Sequence, residues 1–187
     1  MLNYNSPIKE NKNYSDLTIK EICPVMKLNI RGKKREFFTN VGKTLNMILP
    51  TEANTSTTSD KLTSIWLSPD EWMVFSNDII EKSDNNYELE NLLFSNISKN
   101  KFGSISDVTD QFVMIKLEGK KIFELLSSGC PFNFNEFKKK KGSSTQTILN
   151  HIDVIIHHKY SNNVNLFVRR SFSEHLWSWI NDAASRL

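Results

Sequence analysis

The sequence predicts an α+β fold built from two similar β-α-β-β-α halves with mixed or antiparallel sheets, and three observations carry that prediction. Hydrophobic periodicity and turn residues mark out strand, helix, two strands and helix, and then the same order again, without visible residue identity between the two passes. The paired strands of each pass are separated by short turns, as in a hairpin, whereas the other strand-to-strand step crosses over through a helix. The six glycines, at positions 32, 42, 103, 119, 129 and 142, spell neither G-x-G-x-x-G nor a P-loop, which disfavours a doubly wound nucleotide fold. The expected organisation is a polar N-terminal tail over residues 1–24 and a single domain over 25–187. Its halves, at about 25–103 and 104–187, are expected to be related by a pseudo-twofold, each with its helices on one sheet face.

Each element follows from local chemistry. After the tail, in which "IKEICP" packs weakly, "VMKLNI" (25–30) reads as a strand and "GKTLNMILP" (42–50) as a short helix ended by proline. "TEANTSTTSDK" reads as a loop. "LTSIWL" and "WMVFS" are β-type runs flanking "SPDE", where Pro69 sits at the position a type I turn favours, with Asp70 after it. "NYELENLLFSNI" places Leu89, Leu92, Leu93 and Ile97 at helical spacing. In the second pass "FVMIKLEG" (112–119) is a strand, and "KKIFELLSSG" a helix with an apolar stripe of Ile122, Phe123, Leu125 and Leu126, stopped by Gly129 in a permissive conformation. "CPFNFNEFKKKKGSSTQ" is a connection, "ILNHIDVIIHH" one long β run, "NNV" a turn and "VNLFV" another strand. The closing helix starts near Ser171, where Ser171 and Glu174 match a capping box. Phe172, Leu176, Trp179, Ile180, Ala183 and Leu187 form its apolar stripe, which Trp177 widens beyond what one sheet needs.

Composition narrows the function classes. A chain of 187 residues suffices for one domain with a real core, or two small halves, and excludes a large multidomain enzyme. Hydrophobic residues at 39% and aromatics at 11% support a packed body. The 24 Lys and Arg against 21 Asp and Glu give +3 with both signs interspersed, too balanced to imply nucleic acid. No apolar run approaches the roughly 20 residues of a membrane span, and "MLNYNSPIKENKNYSDL" lacks the basic start and apolar stretch of a signal peptide. A cytoplasmic location without membrane partners is therefore expected. The two cysteines, Cys23 and Cys130, each precede a proline and have no C-x-x-C partner, which reads as two free thiols in a reducing compartment.

Few residues suggest chemistry. His151, Asp153, Ile155 and His157 share one face of a strand, but at about 3.3 Å per residue Asp153 and His157 lie about 13 Å apart, too far for one metal ion. His158 falls on the opposite face. No G-x-S-x-G surrounds a serine, and Cys130 in "SSGCPF" looks structural. Asp70 and Glu71 diverge in their turn, so a paired acid and base role is not expected. Lys138–Lys141 form the one strong charge run, in a loop, without the interleaved aromatics of a nucleic-acid surface. Arg169 and Arg170 stand at the positive end of the last helix, where the macrodipole disfavours cations by a few tenths of a kcal/mol or more. Something anionic should offset them, and strand alternation sends the two to opposite faces.

With those segments in hand, the chain resembles the gamma subunit of the heterotetrameric bacterial sarcosine oxidases, nearly end to end. "LNIRG", "ILPTE", "IWLSPDEWMVFS", "VTDQFVMIKLEGKKIFELLSSGCPFNF", "TQTILNHIDVIIH" and "NLFVRRSFSEHLWSWINDAA" look like that family's successive blocks, and the Asn- and Lys-rich loops that depart from its composition interrupt none of them. The resemblance implies a fold similar to the folate-binding domain of aminomethyltransferases. It also implies a non-catalytic place in an enzyme that oxidatively demethylates sarcosine to glycine, with hydrogen peroxide and formaldehyde or methylene-tetrahydrofolate as products. In that family FAD, covalently held FMN and NAD belong to the alpha and beta subunits and zinc to the delta subunit. No catalytic residue and no cofactor is then expected on this chain, although tetrahydrofolate is possible in the complex. Expected partners are the alpha, beta and delta subunits, and the interface candidates are Asp70, Trp72, Arg169, Arg170 and Trp177. The alternative is a free-standing folate-binding relative of the aminomethyltransferases, for which Asp107 and Asp110 are the nearest acids to meet a pterin.

Overall fold

The computed structural model describes residues 5–8, 10–22, 24–82 and 85–187, and these fall into two compact units. One spans Val25–Thr109; the other combines the described residues of Asn3–Pro24 with Asp110–Leu187. Every strand pair recorded is antiparallel.

The first strands in the chain, β1 (Lys12–Tyr14) and β2 (Leu17–Ile22), correct the expectation of a polar tail. Alternation in "LTIKEI" turns Leu17 and Ile19 to one side, where they are buried, and β1 and β2 pair with each other at one edge of the second unit's sheet. The Tyr14 hydroxyl donates to Asn181 Oδ1 at 3.0 Å, tying this edge to the last helix. Polar composition concealed a strand whose apolar set is only two residues deep.

In the first unit, β3 (Lys27–Gly32) leads into α1 (Arg35–Leu45), then β4 (Ser56–Thr58), β5 (Leu62–Ser68) and β6 (Glu71–Ser76). Next come α2 (Glu88–Leu93), a π-helical turn (Phe94–Ser98) and β7 (Gly103–Asp107). The sheet order is β4-β5-β6-β3-β7. Helix α1 starts earlier and ends sooner than expected: Phe37, Val41 and Leu45, spaced four apart, are its buried face, and Asn46 ends it with φ 50°. Pro50 is not the stop. It lies in the following segment, where its carbonyl accepts from Trp72 Nε1 at 2.7 Å. The π turn also changes the predicted stripe, since Leu93 and Ile97 are buried while Leu92 is exposed. A five-residue step rotates the chain off the 3.6 period.

The second unit adds β8 (Phe112–Glu118), α3 (Ile122–Ser127), α4 (Phe134–Phe137), β9 (Ser144–Leu149), β10 (Ile152–Tyr160), β11 (Asn163–Arg169) and α5 (Arg170–Ala184). Its sheet order is β1-β2-β8-β11-β10-β9. The expected single run "ILNHIDVIIHH" is instead the end of one strand, a tight turn and another strand. Asn150 (φ 49°) and His151 (φ 64°) both take the left-handed region, as a two-residue type I′ hairpin requires. Gly129 also differs from expectation, because its φ is not positive. A Cβ there would come within 2.4 Å of the Trp179 ring, so the position needs glycine for space.

Helix α5 begins one residue before the predicted start, and no side-chain cap forms. The Ser173 hydroxyl donates back to the Arg170 carbonyl at 2.7 Å, in place of the Ser171–Glu174 box. Its buried face is Ser173, Leu176, Ile180 and Ala184, flanked by half-buried Trp177 and Trp179, while Phe172 is exposed. Together with Val113, Ile115, Leu117, Val154, Ile156, Val164, Leu166 and Val168 of the sheet, these residues form the unit's core. Complete burial of side chains such as Leu176 and Ile180 contributes about 1.5–3 kcal/mol each.

Candidate functional site

Strand register sorts the second sheet into two faces. Core residues such as Val154, Ile156, Leu166 and Val168 face the helices, so their neighbours in each strand point the other way. On β11 that opposite set ends with Phe167 and Arg169; on β8 their cross-strand partners are Met114 and Phe112. On β10, Ile155 pairs with Phe167, and Asp153 lies one step beyond the recorded pair Val154–Val168, on the strand position facing Arg169. On β9, Ile148 pairs with Asp153 and Gln146 with Ile155. One end of the sheet therefore carries a cross-strand row, Ile148, Asp153, Arg169 and Phe112, with Ile155 and Gln146 behind it.

This row borders a groove of about 540 Å³, lined by Phe112, Gln146, Ile148, Asp153, Ile155 and Arg169, with Thr147 and Val154 between them. Arg169 is exposed, and its guanidinium lies 5.9 Å from the centroid of the Phe112 ring. Among the described residues it makes no ion pair. Asp153, exposed across the groove, is also outside ion-pair distance of any described cation. The groove thus offers a cation, a carboxylate, an amide and an apolar floor, a set suited to gripping a polypeptide surface. It contains no nucleophile paired with a base. Arg170 serves differently, because its backbone N–H donates to the Gln111 carbonyl at 2.9 Å and its guanidinium donates to the Asn5 carbonyl. The two arginines differ because β11 ends at Arg169, whereas Arg170 is the first residue of α5.

Asp70 is in the β5–β6 turn, half-buried, and accepts from the Ser68 hydroxyl at 2.8 Å. That bond lowers its pKa, with Lys33 at 3.5 Å and Arg31 at 3.7 Å adding to the effect. Glu71 accepts from Asn29 at 2.6 Å and lies 3.8 Å from Arg31. The acidic turn is thus neutralised by its own unit. Trp72 corrects the expectation of an interface residue: it is 1% exposed, 5.8 Å from Phe37 and 5.4 Å from Phe38 between ring centroids. Alternation after Glu71 turns it into the core. Trp177 is half-buried against the second unit's core.

Neither folate candidate is poised as a free buried acid. Asp107 accepts from Lys82 at 2.6 Å through one oxygen and from the Thr109 backbone at 2.9 Å through the other, and these partners outweigh burial to lower its pKa. Asp110 is exposed. His157 is buried beside Asn165, with a pKa pushed down to about 3, mainly by desolvation and further by Lys159 and His158. Of the four residues assigned by alternation to its strand face, Ile155 and His157 are buried, whereas Asp153 and the turn residue His151 are exposed. Cys130 is buried with Sγ 3.6 Å from Thr147 Oγ1, and Cys23 lies outside the described residues. Lys138–Lys141 are exposed after α4, Lys139 pairing with Glu136 at 2.7 Å. Phe112, Gln146 and Ile148 were missed as site residues, since only the hairpin register shows that they meet Arg169 and Asp153.

A family model for the sarcosine oxidase gamma subunit matches residues 32–186. The chain belongs to the sarcosine oxidase gamma subunit family. Its fold matches a chain of the heterotetrameric sarcosine oxidase from Corynebacterium sp. U-96, solved in complex with pyrrole 2-carboxylate. The TM-score is 0.80 at 20% identity, over 91% of this chain and 84% of that one. It also matches the glycine cleavage system aminomethyltransferase T from Bartonella henselae, with a TM-score of 0.59 and 13% identity over 89% of this chain. The match spans 45% of the aminomethyltransferase, so this family member shares a portion of that enzyme's fold. No curated protein matches the chain by sequence. The α+β prediction and the family resemblance are both upheld. No described helix is long and apolar enough to cross a membrane.

Proposed function

We propose that this gamma subunit is a non-catalytic member of a heterotetrameric sarcosine oxidase, docking on larger flavin-bearing subunits through the groove at Arg169. The carrying observation is the family match over residues 32–186, supported by a fold that covers 84% of a chain in a solved heterotetrameric enzyme. In this reading the complex oxidises the N-methyl group of sarcosine to leave glycine, with hydrogen peroxide and formaldehyde or methylene-tetrahydrofolate as the other products. FAD, FMN and NAD sit in the alpha and beta subunits and zinc in the delta subunit. This chain supplies shape and a docking surface in the cytoplasm.

The geometry supports docking at this groove above the other candidates. Asp70 is already surrounded by Arg31 and Lys33, whereas Arg169, among the described residues, has an aromatic ring and no carboxylate against it. A partner carboxylate entering the groove would complete the arginine, and an amine or amide would meet Asp153. The test is co-expression with and without this chain: the four-chain complex should assemble and turn over sarcosine, and omission should abolish assembly or sharply reduce turnover. Full assembly and turnover of the other three subunits alone would sink the proposal. Saturable micromolar binding of tetrahydrofolate to this chain by itself would favour the free-standing folate-binding alternative.

A further inference from the structure

The first unit's sheet ends in a strand whose outer edge is open. Among the described residues β7 (Gly103–Asp107) pairs with β3 alone, without a bulge, from Leu28 opposite Asp107 to Gly32 opposite Gly103. One step beyond that register, the Val108 N–H donates to the Lys27 carbonyl at 2.9 Å. Hydrogen-bonded pairs alternate along an antiparallel ladder, so Ser106 and Ser104 turn their main-chain groups to Asn29 and Arg31. Gly103, Ile105 and Asp107 alternate with them and aim their N–H and C=O groups away from β3. The other side of β3 agrees, because its alternate residues serve β6: the Gly32 N–H donates to the Asp70 carbonyl and the Met26 carbonyl accepts from Ser76. Among the described residues no strand lies beyond β7, and the main-chain groups of Gly103 and Ile105 have no hydrogen-bond partner.

Folded chains ordinarily blunt such an edge with lysine, proline or a bulge. The β7 segment "GSISD" has none of these, and its one charge, Asp107, is already bound to Lys82 at 2.6 Å. The second unit shows what this position accepts. There β2 stands beside β8 as β7 stands beside β3, and the outer edge of β2 is filled by β1, antiparallel, from Lys12 opposite Ile19 to Tyr14 opposite Leu17. We infer that the outer edge of β7 receives an extended segment of a partner subunit as a further antiparallel strand centred on Ile105, an assignment that rests on the chain's place in a larger enzyme. Side chains set the chemistry of that segment. Ile105 packs on the first unit's core, so the residue opposite it is apolar, whereas those opposite the exposed Ser104 and Ser106 are polar. Main-chain hydrogen bonds supply the grip and this alternation the selectivity.

The test is amide hydrogen exchange at single-residue resolution, on the free full-length chain and on the assembled four-chain complex. In the free chain Ser104 and Ser106 should exchange slowly and Ile105 fast, as the ladder to β3 dictates. In the complex the Ile105 amide should slow by about a hundredfold or more, with Ser104 and Ser106 little changed. Ile105→Pro deletes the central outward N–H and leaves the bonds to β3, so it should weaken assembly by about tenfold or more, while Ile105→Val assembles like wild type. Fast Ile105 exchange in a complex that needs this chain to assemble would overturn the inference and leave the subunit reading standing, as would normal assembly of a folded Ile105→Pro chain. Assembly and turnover of the other three subunits without this chain would overturn both. Slow Ile105 exchange in the free chain that dilution reverses would give the edge to a second copy and overturn the inference too. Wild-type exchange alone decides the matter where Ile105→Pro does not fold.

Discussion

Arg169→Ala separates docking from folding. In the folded chain the guanidinium is exposed and its one recorded partner is the Phe112 ring at 5.9 Å. A cation over an aromatic ring at an exposed site contributes about 0.5–1 kcal/mol, so the substitution should lower the melting temperature by no more than about 4 °C. In the assembled enzyme the same arginine is proposed to face a partner carboxylate with water excluded. Truncating one member of such a pair costs about 2–5 kcal/mol, a weakening of roughly 30-fold or more. The assay is titration of wild-type and variant gamma subunit into the complex of the other three chains, alongside thermal unfolding of each free gamma subunit. Arg169→Lys, which keeps charge but not the planar fork, should fall between the two. A variant that melts more than 10 °C early yet binds like wild type would make the arginine structural and refute the docking argument, as would one that changes neither property.

The remaining predictions concern the turn and the cores. Asp70→Asn should weaken assembly less than tenfold, because Arg31 and Lys33 already occupy the carboxylate within the chain; a larger loss would move the docking surface to the β5–β6 turn. Trp72→Phe removes the donor to the Pro50 carbonyl and should cost about 1–3 kcal/mol in denaturant unfolding, an unchanged midpoint counting against the bond. Gly129→Ala forces a Cβ to within 2.4 Å of Trp179 and should destabilise by about 1–3 kcal/mol, unless a crystal structure shows the indole displaced at no cost. His157 has a folded pKa of about 3 against an ordinary value of 6.5, so the unfolded chain takes up a proton first as pH falls. Its contribution is complete above 6.5 and declines at up to about 1.4 kcal/mol per pH unit toward 3. Replacing it with Gln should flatten the stability curve between pH 6 and 4 by about that slope, and parallel curves would contradict the burial argument.

Long periodic segments were legible in the sequence because a single physical demand shaped them. "FVMIKLE" and "NLFV" could bury one face only as strands, and the apolar steps of "SFSEHLWSWINDAA" could do so only as a helix. What escaped was set by geometry beyond the local window. Asn150 and His151 carry no glycine, so nothing in their composition announced a turn that needs two left-handed residues. The Ser171–Glu174 box satisfied the pattern, yet the chain enters α5 directly from β11, and the Arg170 N–H is already taken by Gln111. Alternation assumed that Arg169 and Arg170 both lie in a strand, but the helix begins between them and separates their roles. The groove was not legible either, since Asp153 and Ile148 reach Arg169 only through the register of two hairpins.

The repeated element order has a sharper structural counterpart. Both sheets contain the same ladder, β4-β5-β6-β3 in one unit and β9-β10-β11-β8 in the other, continued by β7 in the first and by β2 and then β1 in the second. Corresponding corners of the two ladders can therefore be compared. Where β11 ends and β8 begins, Arg169 faces Phe112; where β6 ends and β3 begins, Phe75 faces Lys27. Each corner pairs a cation with an aromatic ring across two strands, with the strands exchanged. In the first unit the cation is 1% exposed and its Nζ donates to the carbonyls of Val25 and Thr109, at 3.1 and 3.3 Å. In the second unit the cation is exposed at a groove and makes no ion pair among the described residues. A buried ammonium held by carbonyls in its own unit is fixed by folding, whereas an exposed guanidinium against a ring can gain further from a carboxylate brought by another chain. The corresponding ladder position is thus tied down by its own unit in one case and left exposed in the other.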